Sequence, residues 1–135
     1  MVLQTTLQTT LCLAAAAVVV NIWLSIRCGQ VRSAQKIGVG DGGNDQLLRR
    51  MRAQANFIEQ APMTLLLYAL IEATGKSPSW LVYLGALFLL GRVAHAFGMD
   101  SADGFKAGRP IGMITGIALQ LALVVLAVMI ALGKL

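Results

Sequence analysis

Residues 110–132, PIGMITGIALQLALVVLAVMIAL, indicate the fold class because no charged side chain interrupts them. A helix crosses the hydrocarbon core of a bilayer in roughly 20 apolar residues, so this segment is predicted to be a transmembrane helix. Gly108, Gly112 and Gly116 follow one another at intervals of four, which allows a second helix to approach closely. The spacing alone leaves open whether that helix belongs to the same chain or to a partner.

Three further segments precede this one and complete a predicted bundle of four transmembrane helices. The predicted helices cover residues 7–32, 45–74, 80–99 and 110–132. Asp45 is the predicted N-cap of the second helix. Pro62 lies inside that helix, where its missing N–H favours a kink. The sequence therefore predicts an all-α membrane protein made of a single domain, residues 1–135.

Composition supports a membrane protein, because 57% of the residues are hydrophobic and only 13% are charged. This leaves too little polar surface to coat a soluble globule. The net charge of +5 does not indicate nucleic acid as a partner, since the basic residues gather at two loops that the positive-inside rule places in the cytoplasm. These loops, the first and the third, contain or are flanked by Arg27, Arg32, Lys36, Arg49, Arg50, Arg52, Lys106 and Arg109. Arg49 and Arg50 are interpreted as charges that reach the membrane surface.

Polar residues inside the second and third helices are the candidates for a functional site. Arg52, Asn56 and Glu59 fall at i, i+4 and i+7, on one helix face, and Arg92 and His95 share a face of the third helix. A charge in the membrane costs about 2.5–3.5 kcal/mol on insertion scales, so such residues are usually paired, hydrated or functional. One interpretation is a structural ion pair of Glu59 with Arg52 or Arg92. The other is a pocket for a ligand that carries both carboxylates and an ammonium.

The sequence contains no pattern that predicts a metal site or a nucleophile. Cys12 and Cys28 are the only cysteines and are interpreted as small buried apolar residues. No Ser, His and acid set accompanies the polar helix faces, so an enzyme built on this chain would rely on a reactive group carried by its ligand.

The stretch Arg52-Ala-Gln-Ala-Asn-Phe-Ile-Glu59-Gln-Ala-Pro62 resembles the second-helix signature of the MAPEG family, the membrane-associated proteins of eicosanoid and glutathione metabolism. Residues 40–44, GDGGN, and residues 91–98, GRVAHAFG, are similar to those of bacterial members. The resemblance covers all four helices. It implies a homotrimer in a bacterial inner membrane, with glutathione bound between subunits near the cytoplasmic face and a lipophilic substrate arriving from the membrane lipid.

The resemblance also implies roles for individual residues. Arg109, at the start of the fourth helix, matches an arginine that stabilises the glutathione thiolate and is the expected catalytic residue. A cation next to a thiol lowers its pKa. The expected glutathione-binding residues are Arg32, Arg52, Gln54, Asn56, Glu59, Arg92 and His95.

The expected activity is conjugation of glutathione to lipophilic electrophiles, reduction of lipid hydroperoxides, or both. The alternative is a non-catalytic membrane protein that binds lipid or serves as a scaffold, with the polar residues as a structural network. A transporter would need a continuous polar path, and the fourth helix offers little beyond Thr115 and Gln120.

Overall fold

Four α-helices form the chain in a computed structural model that describes residues 7–102 and 107–135. The helices are α1, Gln8–Gln35, α2, Asp45–Ala73, α3, Leu81–Met99, and α4, Gly108–Ala131. The prediction of an all-α, four-helix protein is confirmed, and most predicted ends lie within about two residues of the observed ones. The exception is α1, which extends three residues further because its C-terminal turn is closed by Lys36 in the left-handed conformation.

The turn between α1 and α2 depends on residues that tolerate positive φ. Gly40, Gly42 and Gly43 all have positive φ, as does Lys36. The predicted N-cap at Asp45 is wrong by one residue, because the side chain of Asn44 accepts the hydrogen bond from the backbone N–H of Leu47 at 2.9 Å. Asp45 instead occupies the first turn of α2, where a carboxylate faces the positive end of the helix dipole.

Neighbouring helices run antiparallel, so the helix termini lie in two groups, one at each end of the bundle. The C-terminal part of α1 contacts the N-terminal part of α2, where Arg50 donates to the backbone carbonyl of Arg27 at 2.7 Å. At the opposite end, Lys76 after α2 donates to the backbone carbonyl of Leu135 after α4. Most arginines of the described residues therefore lie towards one end of the bundle, and Lys76 lies at the other.

Glycines let α3 and α4 pack backbone against backbone. A Cβ added at Gly108 or Gly112 of α4 would overlap the backbone carbonyl oxygen of Ala94 or Gly91 in α3. A Cβ added at Gly98 of α3 would likewise overlap the backbone of α4. The helix that approaches the α4 glycines therefore belongs to the same chain.

The outer surface of the bundle is apolar, as expected for a membrane protein. Helices α1, α3 and α4 are long and apolar enough to cross a membrane. Helix α2 is about 43 Å long at 1.5 Å per residue, but it carries several charged residues. Pro62 does not interrupt the helix. Cys28 is buried as predicted, whereas the prediction for Cys12 is wrong, because it lies among the exposed apolar residues of α1.

Candidate functional site

A polar residue occurs at every fourth position along most of α2, exposed at Arg52 and turned towards the other helices from Asn56 onward. Each residue in this series lies about 40° further round the helix than the one before it, so the series forms a slowly winding line. We call them the α2 polar stripe: Arg52, Asn56, Gln60, Thr64, Tyr68 and Glu72. The sequence interpretation did not extend to Thr64, Tyr68 and Glu72, although the interval of four was visible in the printed chain.

Members of the α2 polar stripe are hydrogen-bonded to all three other helices. The hydroxyl of Tyr68 donates to the carbonyl of Leu81 at the start of α3 at 3.0 Å. Thr64 accepts from the side chain of Gln120 in α4 at 2.9 Å. Glu72 accepts from the first backbone N–H groups of α1. These bonds satisfy polar groups that would be costly to leave unpaired in an apolar bundle.

Arg92 is the centre of the polar cluster near the arginine-rich end of the bundle. It is only 2% exposed. Its Nη1 donates to Oδ1 of Asn56 at 2.6 Å and to Oε1 of Gln60 at 3.1 Å. Its Nη2 donates to the backbone carbonyl of Gly112 in α4. Arg92 therefore joins α2, α3 and α4, and its bonds to the two amides bring the polar faces of α2 and α3 together.

Glu59 and Arg52 lie outside that cluster. Both side chains are exposed in the single chain. Within the described residues, no ion pair joins Glu59 to either Arg52 or Arg92, so the structural ion pair considered from the sequence is absent there. Helix α2 thus has a buried amide edge at Asn56 and Gln60 and an exposed charged edge at Arg52 and Glu59.

An open groove lies between α1 and α2, beside the exposed charged edge. Its cavity volume is about 450 Å³. Arg32 and Gln54, both expected to bind glutathione, line this groove. The Gln54 side chain donates to Ser25 at 2.6 Å, and Arg32 donates to the carbonyl of Gly40 at 2.7 Å. The remaining lining residues are Ser25, Cys28, Gly29, Met51, Ala55 and Ile58.

The other two predicted site residues, His95 and Arg109, lie at the α3–α4 contact. His95 is buried, and its backbone and Cβ face Gly112 of α4. Arg109 is exposed on the first turn of α4, where its backbone packs directly against Gly98 of α3. Within the described residues, α4 packs against α3 and α2 but not against α1. Arg109 thus belongs to a helix that does not contact α1.

A second charged cluster, which the sequence interpretation missed, contains Asp100 at the end of α3. Its carboxylate pairs with Arg27 and also with Arg50, whose Nε lies 3.3 Å away. The guanidinium carbon of Arg27 lies 4.8 Å from the ring centre of Trp23 and 5.1 Å from that of Phe97. Arg50, interpreted from the sequence as a charge that reaches the membrane surface, is held here by Asp100 and by the backbone carbonyl of Arg27. The signal in the sequence was an acidic residue placed directly after a helix, at the arginine-rich end.

An apolar groove of about 380 Å³ separates α2 from α4 near the middle of the bundle. Met63, Leu66 and Leu70 of α2 form one wall, and Leu123 and Val124 of α4 form the other. Thr64 and Gln120 supply its polar atoms.

Lys106, which contributed to the predicted cytoplasmic charge, lies outside the described residues. In the ranges 7–102 and 107–135, no group of His, Cys, Asp or Glu has the arrangement of a metal site.

Comparison with known proteins identifies the chain's relatives. The chain is similar to the inner membrane protein YecN of Escherichia coli K12, with 30% identity over 70 residues, or 51% of this chain and 53% of YecN. YecN of E. coli O6:H1 matches to the same extent. The chain thus spans about half the length of the curated relatives it matches, and no solved structure matches it. Residues 10–129, nearly the whole sequence, match the MAPEG family. The chain therefore belongs to that family.

Proposed function

We propose that the protein is a glutathione-dependent membrane enzyme that binds its cofactor in the groove between α1 and α2. The observation that carries this proposal is the pair of exposed charges on α2, Arg52 and Glu59, which have no ion-pair partner among the described residues. Each directly follows a groove-lining residue, Met51 or Ile58. Charges left uncompensated at membrane depth are costly, which favours a ligand that pairs with both.

Glutathione has the chemistry that these side chains would recognise. Its two carboxylates can pair with the guanidinium groups of Arg52 and Arg32, and its ammonium can donate to the carboxylate of Glu59. The amides of Gln54 and Asn56 would bind its peptide groups or a carboxylate. The thiol of such a ligand would be the nucleophile, since the Cys28 thiol that lines the groove is buried and donates to Gln54.

Arg109 is the proposed catalytic residue, acting on the thiol of bound glutathione. Because α4 packs against α2 and α3 but not against α1, we propose that the groove of one protomer is completed by Arg109 of a second protomer in a homotrimer. The guanidinium would lower the thiol pKa and raise the fraction of nucleophilic thiolate. The thiolate would then attack a lipophilic electrophile or reduce a lipid hydroperoxide that enters from the bilayer.

The proposed location is the bacterial inner membrane, with the first and third loops in the cytoplasm. The relatives named inner membrane proteins support the compartment. The concentration of arginines at one end of the bundle supports the orientation, since Lys and Arg are retained on the cytoplasmic side. Glutathione is a cytoplasmic thiol, and this orientation would open the groove to it.

A non-catalytic role in lipid binding or as a scaffold is the second candidate, favoured by the hydrogen bonds of Arg92. These bonds explain why Arg92, Asn56 and Gln60 are present through contacts inside the bundle, without a ligand. They do not account for Arg52 and Glu59, which is why the enzyme is the better proposal.

Isothermal titration of glutathione into the detergent-purified protein tests the proposal. We expect saturable binding that is weakened roughly 10- to 100-fold by Arg52→Ala and by Glu59→Ala, since each removes a hydrogen bond to a charged group. Lys76→Ala, which removes an exposed cation at the opposite end of the bundle, is the matched control and should bind as the wild type does. The absence of binding at millimolar glutathione in a folded protein would overturn the proposal and leave the scaffold role.

A further inference from the structure

The hydrogen bond between Arg92 and Asn56 determines which polar group Asn56 can offer to a ligand. An asparagine amide can usually present either its oxygen or its nitrogen, and the two are assigned from their surroundings. A guanidinium has donors and no acceptor, so only Oδ1 of Asn56 can face Arg92. The amide of Asn56 is therefore fixed with its oxygen pointing into the bundle.

The nitrogen of Asn56 is left pointing away from Arg92. Asn56 is half-buried, at the boundary between the inward edge of α2 and the edge that carries Arg52 and Glu59. Its Nδ2 makes no hydrogen bond to another described residue, and it is absent from the buried atoms that lack a partner. This NH₂ group is thus an available donor beside the exposed charged edge.

Gln60 reinforces the same orientation one turn further along α2. Its Oε1 also accepts from Nη1 of Arg92, at 3.1 Å. Because Arg92 is buried and also bonded to the carbonyl of Gly112, its guanidinium is held by α2 and α4 and cannot readily turn outward. The sequence interpretation gave Arg92 a direct contact with glutathione. Its burial favours an indirect role.

We infer that Arg92 is a positioning residue that makes Asn56 a hydrogen-bond donor and so makes the site selective for a ligand with a carboxylate at that point. This inference rests on the proposed function. It adds that three side chains along this boundary of α2 form an ordered set: the cation of Arg52, the donor of Asn56 and the anion of Glu59. A ligand whose carboxylate is replaced by a carboxamide loses a charge-assisted acceptor at Asn56.

The test compares glutathione with two analogues, each of which carries one of the two carboxylates as a carboxamide. Isothermal titration of the wild type should show that one analogue binds roughly tenfold more weakly, because its carboxamide oxygen still accepts from Asn56 but without charge assistance. This loss should come in addition to any loss of the salt bridge to Arg52. In Asn56→Asp, the new carboxylate still accepts from Arg92 but offers no donor. We expect this variant to keep its thermal stability, to bind glutathione at least about tenfold more weakly and to reverse its preference towards that carboxamide.

Arg92→Met separates positioning from structure, because it removes the guanidinium and frees the Asn56 amide to turn either way. If this variant folds, its preference between glutathione and the carboxamide should collapse towards equality; a purely structural role would lower stability and leave the preference unchanged. An unchanged preference in either Asn56→Asp or a folded Arg92→Met would overturn the inference while leaving the proposed function intact. No glutathione binding by the wild type would overturn both.

Discussion

The carboxylate of Glu72, at the end of α2, accepts a hydrogen bond from the backbone N–H of Thr10, at the start of α1, at 2.6 Å. The second carboxylate oxygen accepts from the neighbouring N–H of Thr9 at 2.9 Å. The first N–H groups of a helix have no partner within the helix. A side chain 62 positions away thus caps α1 and ties the first two helices together at the end opposite the arginines.

Replacing Glu72 with alanine should destabilise the protein by about 2–3 kcal/mol, because two charge-assisted hydrogen bonds are lost from a buried site. Glu72→Gln keeps an acceptor oxygen and should cost less. Unfolding by SDS in mixed micelles measures both differences. Equal stability of Glu72→Ala and the wild type would contradict a capping role.

Replacing Asp100 with alanine should cost about 3–5 kcal/mol, because it leaves the buried guanidinium of Arg27 without its counter-charge. Asp45→Ala, which removes an exposed carboxylate near the same end of the bundle, serves as the control and should change stability by less than about 1 kcal/mol. The same micelle assay applies. A similar loss of stability from both substitutions would show that the Asp100 cluster stabilises the fold no more than an exposed carboxylate does.

Gly112→Ala should destabilise the contact between α3 and α4, since the new Cβ overlaps the carbonyl oxygen of Gly91. Overpacking of this kind costs about 1–3 kcal/mol. Gly29→Ala in α1 is the matched comparison, because a Cβ there meets no atom within 4 Å and alanine is the better helix former. Thermal unfolding should rank Gly29→Ala at or above the wild type and Gly112→Ala below it; the reverse order would argue against the described packing.

Arg109→Ala should lower the rate of glutathione conjugation with a model electrophile at least about tenfold, while the affinity for glutathione changes little. The loss should shrink as the pH approaches the pKa of the free thiol, because the solvent then supplies the thiolate that Arg109 stabilises. A pH–rate profile of both proteins measures this. A constant ratio of the two rates across the profile would refute thiolate stabilisation by Arg109.

The sequence was sufficient to predict the four helices because each is a long apolar or amphipathic segment bounded by a turn. It also identified the helix faces that carry Asn56 and Arg92 as the candidates for a functional site. It could not predict which edge of α2 faces inward, because positions 56, 59 and 60 all lie within about 100° of one another round the helix. The packing of the buried side chains of Phe57 and Arg92 selects the inward edge. It missed Asp100 because a contact between one loop residue and two other helices depends on the arrangement of the whole bundle.

The interval of four along α2 has a consequence for biosynthesis. The donors and acceptors of the stripe find their partners in α1, α3 and α4, so a nascent chain that ends after α2 presents Asn56, Gln60, Thr64 and Tyr68 with none of these bonds made. Such a helix partitions poorly into lipid. Stable insertion of α2 should therefore wait until α3 and α4 have left the ribosome. The last 55 residues of the 135-residue chain, from Leu81 onward, are thus needed to keep the earlier helix α2 in the membrane.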